Sequence, residues 1–441
     1  MARIFPRLTL LVILLVFLAS CSLPFAQNEP TPTPVPTKSS TAPVNPADVC
    51  PTPVGPRLLC LTPHSLRQAY GVEPLIQKGF TGKGQTVIDI VSFGSPTLKQ
   101  DMEVYDKAFG LPPVDLQIIS PINKPESDPH QDKSGWGDET TLDVQIIHAI
   151  APDAKIVVLT SPIAETEGTE GLPEFRQLIQ YAIDHKLGNI FSNSWGASEL
   201  TLMDQAGKQE LQQWDTLLQK ATTEQGMTFI ASSGDHGSTD AIDMTGRKLA
   251  HVPTTSFAAG SPWMTSVGGT TVTRQGSVFN ERVWNDGSGA SGGGFSQLYK
   301  MPDYQKTLPS AFQGQFKNRR GIPDVAAAGD PNTGLAMYSK GLWTTAGGTS
   351  ASTPVWAGLM AIANQMAGRP LGFINPALYK LANSSTYTLD FRDITVGDNA
   401  NLEVNVPGFK AVQGWDASTG LGTPNAEQLL PHLIQAITTS T

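Results

Sequence analysis

Charge is scarce in this 441-residue sequence, and positive charge most of all. Only 16% of the residues are charged, and 39 acidic residues face 30 basic ones, for a net charge of −9. A surplus of negative charge disfavours binding to nucleic acid or to an anionic membrane surface. The composition therefore predicts neither a nucleic-acid partner nor an electrostatic attachment to membranes.

The hydrophobic run at the N-terminus, residues 8–18, is too short to span a bilayer comfortably. Arg3 and Arg7 precede it, and Leu18-Ala19-Ser20-Cys21 follows it. This arrangement is typical of an export signal and resembles the bacterial lipobox, whose cysteine becomes the acylated first residue of the mature protein. We expect residues 1–21 to be a lipoprotein signal peptide that leaves the protein on the outer face of the cell membrane. An ordinary signal peptide and a secreted protein are the alternative.

Large apolar residues are nearly absent from residues 22–48, which are rich in Pro, Thr and Ser. Such a composition cannot bury a core and predicts an extended tether. Cys50 and Cys60 follow, and we expect them to form a disulfide in an oxidising compartment, with two free thiols as the alternative. The predicted tether is therefore residues 22–60, and the fold begins at Leu61.

Beyond Leu61, short apolar runs alternate with helical patterns. The predicted strands cover residues 86–91, 155–159, 189–192 and 228–231. The predicted helices cover residues 139–150, 173–185 and 210–225. This alternation predicts βαβ units, and hence a single large α/β domain with a mainly parallel sheet and helices on both faces.

A candidate nucleophile, Ser350, lies at the start of another predicted helix. It stands in Gly348-Thr349-Ser350-Ala351-Ser352, just before the apolar run 355–362. The first turn of a helix has unpaired backbone N–H groups, and the helix dipole favours negative charge there. That position suits a hydroxyl that attacks a carbonyl and leaves an oxyanion behind. A plain helix cap among small residues is the alternative.

None of the seven histidines lies in the His-Gly-Thr-His sequence that a histidine-dependent subtilisin carries. Glu139 and Asp143 offer a different base. Residues four apart on a helix project from one face, and burial makes ionisation of both costly, so the pair should share a proton at mildly acidic pH. A glutamate oriented by an aspartate can then take the serine proton. A solvated acidic face is the alternative.

Asp235 directly follows the strand predicted over residues 228–231. Functional groups in α/β folds gather at the carboxyl ends of parallel strands. A protonated Asp235 can donate a hydrogen bond to a developing oxyanion, whereas an ionised one would repel it. An ordinary turn after a strand is the alternative.

Taken together, these segments resemble the sedolisin (serine-carboxyl) peptidases from about residue 61 to residue 431. The remaining motifs of the resemblance are Ser194-Trp195-Gly196, Trp284-Asn285-Asp286, Pro323-Asp324-Val325 and the full Gly-Thr-Ser-x-x-x-Pro of residues 348–354. The resemblance implies a subtilisin-like fold over residues 61–435 and an acidic working pH. It implies Ser350 as nucleophile, Glu139 as base, Asp143 as its support and Asp235 as oxyanion donor.

The resemblance also implies one Ca²⁺ site and a substrate-binding wall. Residues 393–395 and 414–416 resemble the family's calcium loop, whose hard oxygen donors suit Ca²⁺. The implied ligands are the side chains of Asp393 and Asp416 with the backbone carbonyls of Ile394, Val412 and Gly414. Trp195 and Gly196 fall where the family binds an extended substrate.

The sequence departs from the family in two places. Members of the family usually carry a long N-terminal propeptide. Here only residues 22–60 separate Cys21 from the start of the resemblance, so we expect no such propeptide. Some relatives also carry an acid in the first strand that extends the carboxylate network. That position falls at Val91 here, with Asp89 close by in sequence.

The leading hypothesis is a monomeric, exported endopeptidase that acts on proteins or peptides and meets the membrane only through a lipid anchor at Cys21. The alternatives are a tripeptidyl exopeptidase of the same family, an inactive surface-binding homologue, and a histidine-dependent subtilisin.

Overall fold

The computed structural model describes residues 60–439, without the side chains of residues 311–313. The predicted signal peptide, the acylation site Cys21 and the tether up to residue 59 lie outside this part of the chain. Cys60 is disulfide-bonded, and its expected partner Cys50 lies outside the described residues, so that pairing stays a prediction. Within residues 60–439, no helix combines the length and the apolarity that a bilayer span requires.

The helices and strands alternate along most of the chain. The helices are α1 Pro63–Ala69, α2 Glu73–Gln77, α3 Leu98–Phe109, α4 Lys133–Ile150, α5 Leu172–Asp184, α6 Gln205–Glu224, α7 Ser310–Phe316, α8 Thr349–Ala367, α9 Asn375–Ala382, α10 Tyr387–Asp390 and α11 Ala426–Thr438. The strands are β1 Thr86–Ser92, β2 Asp115–Ile119, β3 Lys155–Ser161, β4 Ile190–Asn193, β5 Ala197–Ser198, β6 Thr228–Ser232, β7 Ser256–Phe257, β8 Thr265–Gln275, β9 Val278–Val283, β10 Gly294–Lys300, β11 Arg319–Ile322, β12 Val325–Ala328, β13 Leu335–Ser339, β14 Leu342–Ala346, β15 Phe391–Arg392 and β16 Thr423–Pro424.

An eight-stranded sheet forms the centre of the fold, in the order β12-β8-β6-β4-β1-β3-β2, with β9 paired to β8. Every neighbouring pair in that order is parallel, and only β9 runs antiparallel. Two hydrophobic cores flank the sheet, one containing α4 and α8 and the other α5 and α6. The predicted mainly parallel sheet with helices on both faces is confirmed.

Strand β1 shows how the sheet separates these two cores. Side chains alternate between the faces of a strand, and Ile88 and Ile90 belong to the core with α5 and α6. Val87 and Val91 belong to the core with α4 and α8. Asp89 lies between them, fully buried, and therefore points towards the same helices as the two valines.

Helix α4 begins at Lys133, six residues before the predicted start at residue 139. Because Gly135 and Gly137 are weak helix formers, the sequence pattern did not predict this first turn and a half of the helix. The Asp128 carboxylate compensates, because it accepts hydrogen bonds from the backbone N–H groups of Asp132 at 2.7 Å and Lys133 at 3.2 Å. The longer helix places Glu139 in its interior, where the side chain is held in register with Asp143.

Candidate active site

Ser350 is the second residue of α8, as expected for a nucleophile at a helix N-terminus. The chain enters the helix through Gly348, whose φ of +88° lies in the left-handed region. A Cβ at that position would lie 2.7 Å from Asp235 Oδ2. Glycine therefore permits both the turn into the helix and the close approach of the Asp235 carboxyl group.

Glu139 lies on the face of α4 that is directed at Ser350. Its Oε1 is buried and has no hydrogen-bond partner among the described residues. Burial raises the pKa of Glu139 well above its usual range, and the charge of Asp143 raises it further. The hydroxyl of Ser350, positioned to donate a hydrogen bond, lowers it. A carboxyl group with this environment can accept a proton from the serine at a pH where an exposed glutamate would be too weak a base.

Asp143 and Asp89 extend the acidic group into the core. Both are fully buried, and neither carboxyl group faces a cation. Burial raises the pKa of Asp143, and the charge of Asp89 adds to the rise. Burial likewise raises the pKa of Asp89, whereas a hydrogen bond with Asp143 lowers it. Three such carboxyl groups cannot all ionise together, so the cluster holds protons between them.

The acid of β1 that interacts with Asp143 is Asp89, and the alignment of the family's first-strand acid with Val91 stays a prediction. Both residues face α4 because they are two apart on β1. Asp89 lies two residues before Val91 on β1, and its carboxyl group interacts with that of Asp143.

Ser194 links the acids to the nucleophile's own backbone. Its Oγ lies 2.8 Å from Asp143 Oδ1 and 3.3 Å from the carbonyl oxygen of Ser350. That carbonyl would normally accept a bond from the N–H four residues later, but Pro354 has none. The proline inside α8 thus leaves an acceptor that the Ser194 hydroxyl approaches.

Asp235 is attached to the residue before the nucleophile. Its Oδ1 accepts hydrogen bonds of 2.8 Å from both the backbone N–H and the hydroxyl of Thr349. Burial raises the pKa of Asp235, and the two bonds from Thr349 lower it. A carboxyl group that keeps its proton can donate from Oδ2, the oxygen beside Gly348, to an anion formed in front of Ser350.

The histidines nearest to these acids in sequence are engaged elsewhere. His148 is fully buried, with Nε2 2.9 Å from the Pro112 carbonyl oxygen and 3.2 Å from Asp106 Oδ1. His236 directly follows Asp235, but its Nδ1 faces Asp240 at 3.5 Å, and a hydrogen bond with that carboxylate raises the pKa of His236. The carboxylates that these two imidazoles contact are those of Asp106 and Asp240, not those of Glu139 and Asp143.

A cleft of about 540 Å³ opens beside Glu139 and Ser194, and Trp195 and Gly196 form part of its wall. Trp195 is only 5% exposed and packs edge-on against Phe175 with the ring centroids 5.0 Å apart. Gly196 is exposed, so its backbone is accessible to a bound chain. The structure thus places both predicted wall residues next to the predicted base.

The two predicted calcium-binding aspartates lie in one loop region near the C-terminus. Asp393 Oδ2 accepts a 2.9 Å bond from the Gly414 N–H, while Asp393 Oδ1 is buried without a hydrogen-bond partner among the described residues. Asp416 Oδ1 accepts bonds from the N–H groups of Ser418 and Thr419, each at 2.9 Å. No group of three or more His, Cys, Asp or Glu side chains suited to a metal occurs in residues 60–439. The donor set that remains is two carboxylates with backbone carbonyls, which fits a hard cation.

Sequence reasoning missed two members of the site, Asp89 and Ser194. The signal for Asp89 was present, because a carboxylate within the apolar run of residues 86–91 must be buried and therefore needs a reason to be there. Ser194 belongs to the motif Ser194-Trp195-Gly196, but no residue near it in the sequence indicated a contact with Asp143, which lies on α4.

The model of the subtilase family matches residues 130–384. Kumamolisin from Bacillus sp. (strain MN-32) is 34% identical over 385 residues, which cover 85% of this chain and 63% of kumamolisin. Human tripeptidyl-peptidase 1 is 32% identical over 394 residues, which cover 85% of this chain and 65% of that enzyme. The chain thus spans slightly under two thirds of the length of each.

A solved structure of Pseudomonas sedolisin, described as a serine-carboxyl proteinase complexed with two molecules of pseudo-iodotyrostatin, superposes with a TM-score of 0.70. The sequence identity is 26%, and the match covers 86% of this chain and 99% of the sedolisin chain. The similarity therefore extends over nearly all the described residues.

Proposed function

We propose that this chain, which belongs to the subtilase family and to its sedolisin branch, is a serine-carboxyl endopeptidase with Ser350 as its nucleophile. Glu139 serves as the base, Asp143 and Asp89 support it, and Asp235 stabilises the oxyanion. The observation that carries this proposal is the environment of Ser350: as a hydrogen-bond donor its hydroxyl lowers the raised pKa of Glu139, and the residue before it, Thr349, donates hydrogen bonds to Asp235.

The proposed reaction proceeds in two halves. Ser350 Oγ attacks the carbonyl carbon of the substrate while Glu139 takes the hydroxyl proton. The carbonyl oxygen becomes an oxyanion that accepts a hydrogen bond from the protonated Asp235. Glu139 then gives its proton to the leaving amine, and an acyl-enzyme remains on Ser350. In the second half, water attacks the acyl carbon while Glu139 takes its proton. Glu139 then returns the proton to Ser350 Oγ as the bond between Oγ and the acyl carbon breaks, which releases the acid product and the free serine.

The decisive experiment compares three variants in the hydrolysis of a denatured protein between pH 3 and pH 8. We expect Ser350→Ala and Glu139→Gln each to lose at least about 10⁴-fold in kcat/KM, as removal of the nucleophile or base does in other serine peptidases. His148→Ala should keep activity, apart from any loss of folded protein. Survival of Ser350→Ala with loss in His148→Ala would refute the assignment.

A tripeptidyl exopeptidase is the second candidate function, and the similarity to tripeptidyl-peptidase 1 favours it. Peptides of equal sequence with free or acetylated N-termini separate the two activities. An endopeptidase cleaves both at internal bonds, whereas an exopeptidase releases tripeptides from the free peptide alone.

We further propose that the loop of Asp393 and Asp416 holds one Ca²⁺, with the carbonyls of Ile394, Val412 and Gly414 as the remaining protein ligands. The buried, unpartnered Asp393 Oδ1 supports this. A bound cation there would neutralise the two carboxylates and join the segments that carry them.

Export with a lipid anchor at Cys21, or secretion, stays part of the proposal. Metabolic labelling with a fatty acid tests the lipid anchor: we expect label in the wild-type protein and none in Cys21→Ser.

A further inference from the structure

The cleft beside Glu139 continues past Gly196 into a second cavity of about 460 Å³. The two cavities share Asp132, Glu165 and Gly196 as lining residues. A peptide held along Gly196 with its reactive bond at Ser350 therefore reaches the second cavity with a neighbouring residue. Glu167 lines that second cavity together with Glu165.

Glu165 is a buried acceptor that lacks a donor. It is 7% exposed, and its Oε1 has no hydrogen-bond partner in residues 60–439. Its backbone is held firmly, since the N–H donates to Ser92 Oγ at 3.0 Å. A buried carboxyl oxygen without a partner destabilises the fold. Its retention at the wall of a cleft is consistent with a partner that arrives with the substrate.

Glu167 is fixed beside it by bonds from a different segment. Its Oε2 accepts from the Ser198 N–H at 2.8 Å and from the Thr201 hydroxyl at 3.0 Å. Burial raises the pKa of Glu167 to about 7, and the charge of Asp240 contributes to the rise. A cation placed between the two glutamates would reverse that shift, since an opposite charge favours the ionised form.

The basic residues of this cavity leave the two glutamates uncompensated. Arg247 lines the cavity and is exposed, and in the described part of the chain no ion pair joins it to Glu165 or Glu167. His130 is 42% exposed at its side chain, and its Nε2 lies 3.9 Å from Glu170. Arg247 and His130 thus line the cavity without an ion pair to either glutamate among the described residues, and the positive charge that acts on Glu167 is that of His236 outside the cavity.

We propose that Glu165 and Glu167 form a specificity subsite for a cationic group of the peptide substrate. The group is the ammonium or guanidinium of a Lys or Arg side chain next to the cleaved bond, or the ammonium of the substrate's N-terminus. This inference rests on the proposed peptidase function, because the cavity is a subsite only if a peptide lies in the cleft.

The test compares kcat/KM for matched peptides that carry Lys or norleucine at each position around one cleavable bond, each with a free or an acetylated N-terminus. At pH 6–7 we expect a preference of about tenfold or more for Lys at one position, or for the free N-terminus, as for a hydrogen bond to a charged group. Loss of the preference on acetylation identifies the N-terminal ammonium as the source, and its persistence identifies the side chain. Glu165→Gln and Glu167→Gln should each bring the ratio towards one, while Asp303→Asn, a fully exposed acid elsewhere, should leave it unchanged.

Binding of the same peptides to Ser350→Ala protein separates the subsite from the chemistry. A cation preference in binding without any hydrolysis by the wild type would uphold the subsite and refute the proposed function. Hydrolysis by the wild type with no cation preference overturns the subsite, as does a preference that survives both glutamine variants. If a glutamine variant fails to fold, the binding comparison in Ser350→Ala still decides, because equal affinity for Lys and norleucine peptides refutes the proposal.

Discussion

Ser194 donates a hydrogen bond of 2.8 Å to Asp143, and this bond joins the end of β4 to the acidic face of α4. The bond occupies Asp143 Oδ1, while Asp143 Oδ2 is buried without a hydrogen-bond partner among the described residues. The orientation of the carboxyl group that supports Glu139 is therefore set by a hydroxyl on another element. A substitution at Ser194 should therefore alter the proposed base, Glu139, through Asp143 and without a direct contact to Glu139.

Ser194→Ala should lower kcat/KM by about 10- to 100-fold, the effect of a lost bond to a buried acid. The Ser194 bond lowers the pKa of Asp143, so its removal raises that pKa and shifts the acidic limb of the pH–rate profile to higher pH. The matched control is Ser339→Ala, which removes a 2.7 Å bond to Asp138 on the same helix outside the cleft. An unshifted limb in Ser194→Ala would contradict this role.

Asp89→Asn should shift the acidic limb in the opposite direction. The charge of Asp89 raises the pKa of Asp143, and a neutral amide removes that repulsion, so the cluster loses its proton at lower pH. We expect kcat/KM at the optimum to fall by less than about tenfold, because the amide oxygen can still accept a hydrogen bond from the protonated Asp143. The measurement is the pH dependence of kcat/KM from pH 2.5 to pH 6. A limb that stays in place would show that Asp89 is not coupled to the base.

Asp235 should control the alkaline limb. Its donor role requires the protonated form, and its pKa is raised by burial, so activity falls as the pH rises through that value. Asp235→Asn keeps a donor that does not titrate, and we expect its activity to persist to higher pH than in the wild type. Asp235→Ala has no donor and should lose about 10²–10³-fold at every pH. An alkaline limb unchanged in Asp235→Asn would assign it to another group.

Calcium should stabilise the fold through Asp393 and Asp416. A ligand at 100 times its dissociation constant stabilises the folded state by about 2.7 kcal/mol. We therefore expect the melting temperature to rise on adding Ca²⁺ and to fall on adding a chelator. The rise should be absent in Asp393→Asn and Asp416→Asn, and present in Asp398→Asn, whose Oδ1 caps a local turn by accepting from the Ala400 N–H at 3.0 Å. Equal calcium responses in all four proteins would place the cation elsewhere.

Glu167 should make the protein less stable as the pH rises through the weakly acidic range. Its pKa is raised from 4.5 to about 7, so the folded state binds more protons than the unfolded state between these values. The stability that this proton contributes is complete below pH 4.5 and is lost as the pH approaches 7. Melting temperatures across pH 4–8 should fall less steeply in Glu167→Gln than in the wild type. Parallel curves would show that Glu167 does not titrate in this range.

Much of the fold was readable from local patterns. The strand predicted over residues 86–91 is β1, which extends one residue further, to Ser92. A short apolar segment between turns is typical of a buried strand, which is why its pattern predicted it. Strand β8 was not predicted, since Gly268 and Gly269 interrupt its β-branched residues. Its pairing with β6 and β12 stabilises it, and that stabilisation comes from elements distant in the sequence.

The sequence by itself determined the chemical inventory: a serine at a helix start, two acids one helical turn apart, and an acid at the end of a strand. These are local relationships, set by helical and strand periodicity within a few residues. Only the tertiary structure decided that Asp89 rather than Val91 meets Asp143, that Ser194 orients it, and that Glu165 faces the cleft without a partner. Each of these depends on how separate elements pack, and a shift of two residues along one strand moves a side chain by more than the length of a hydrogen bond.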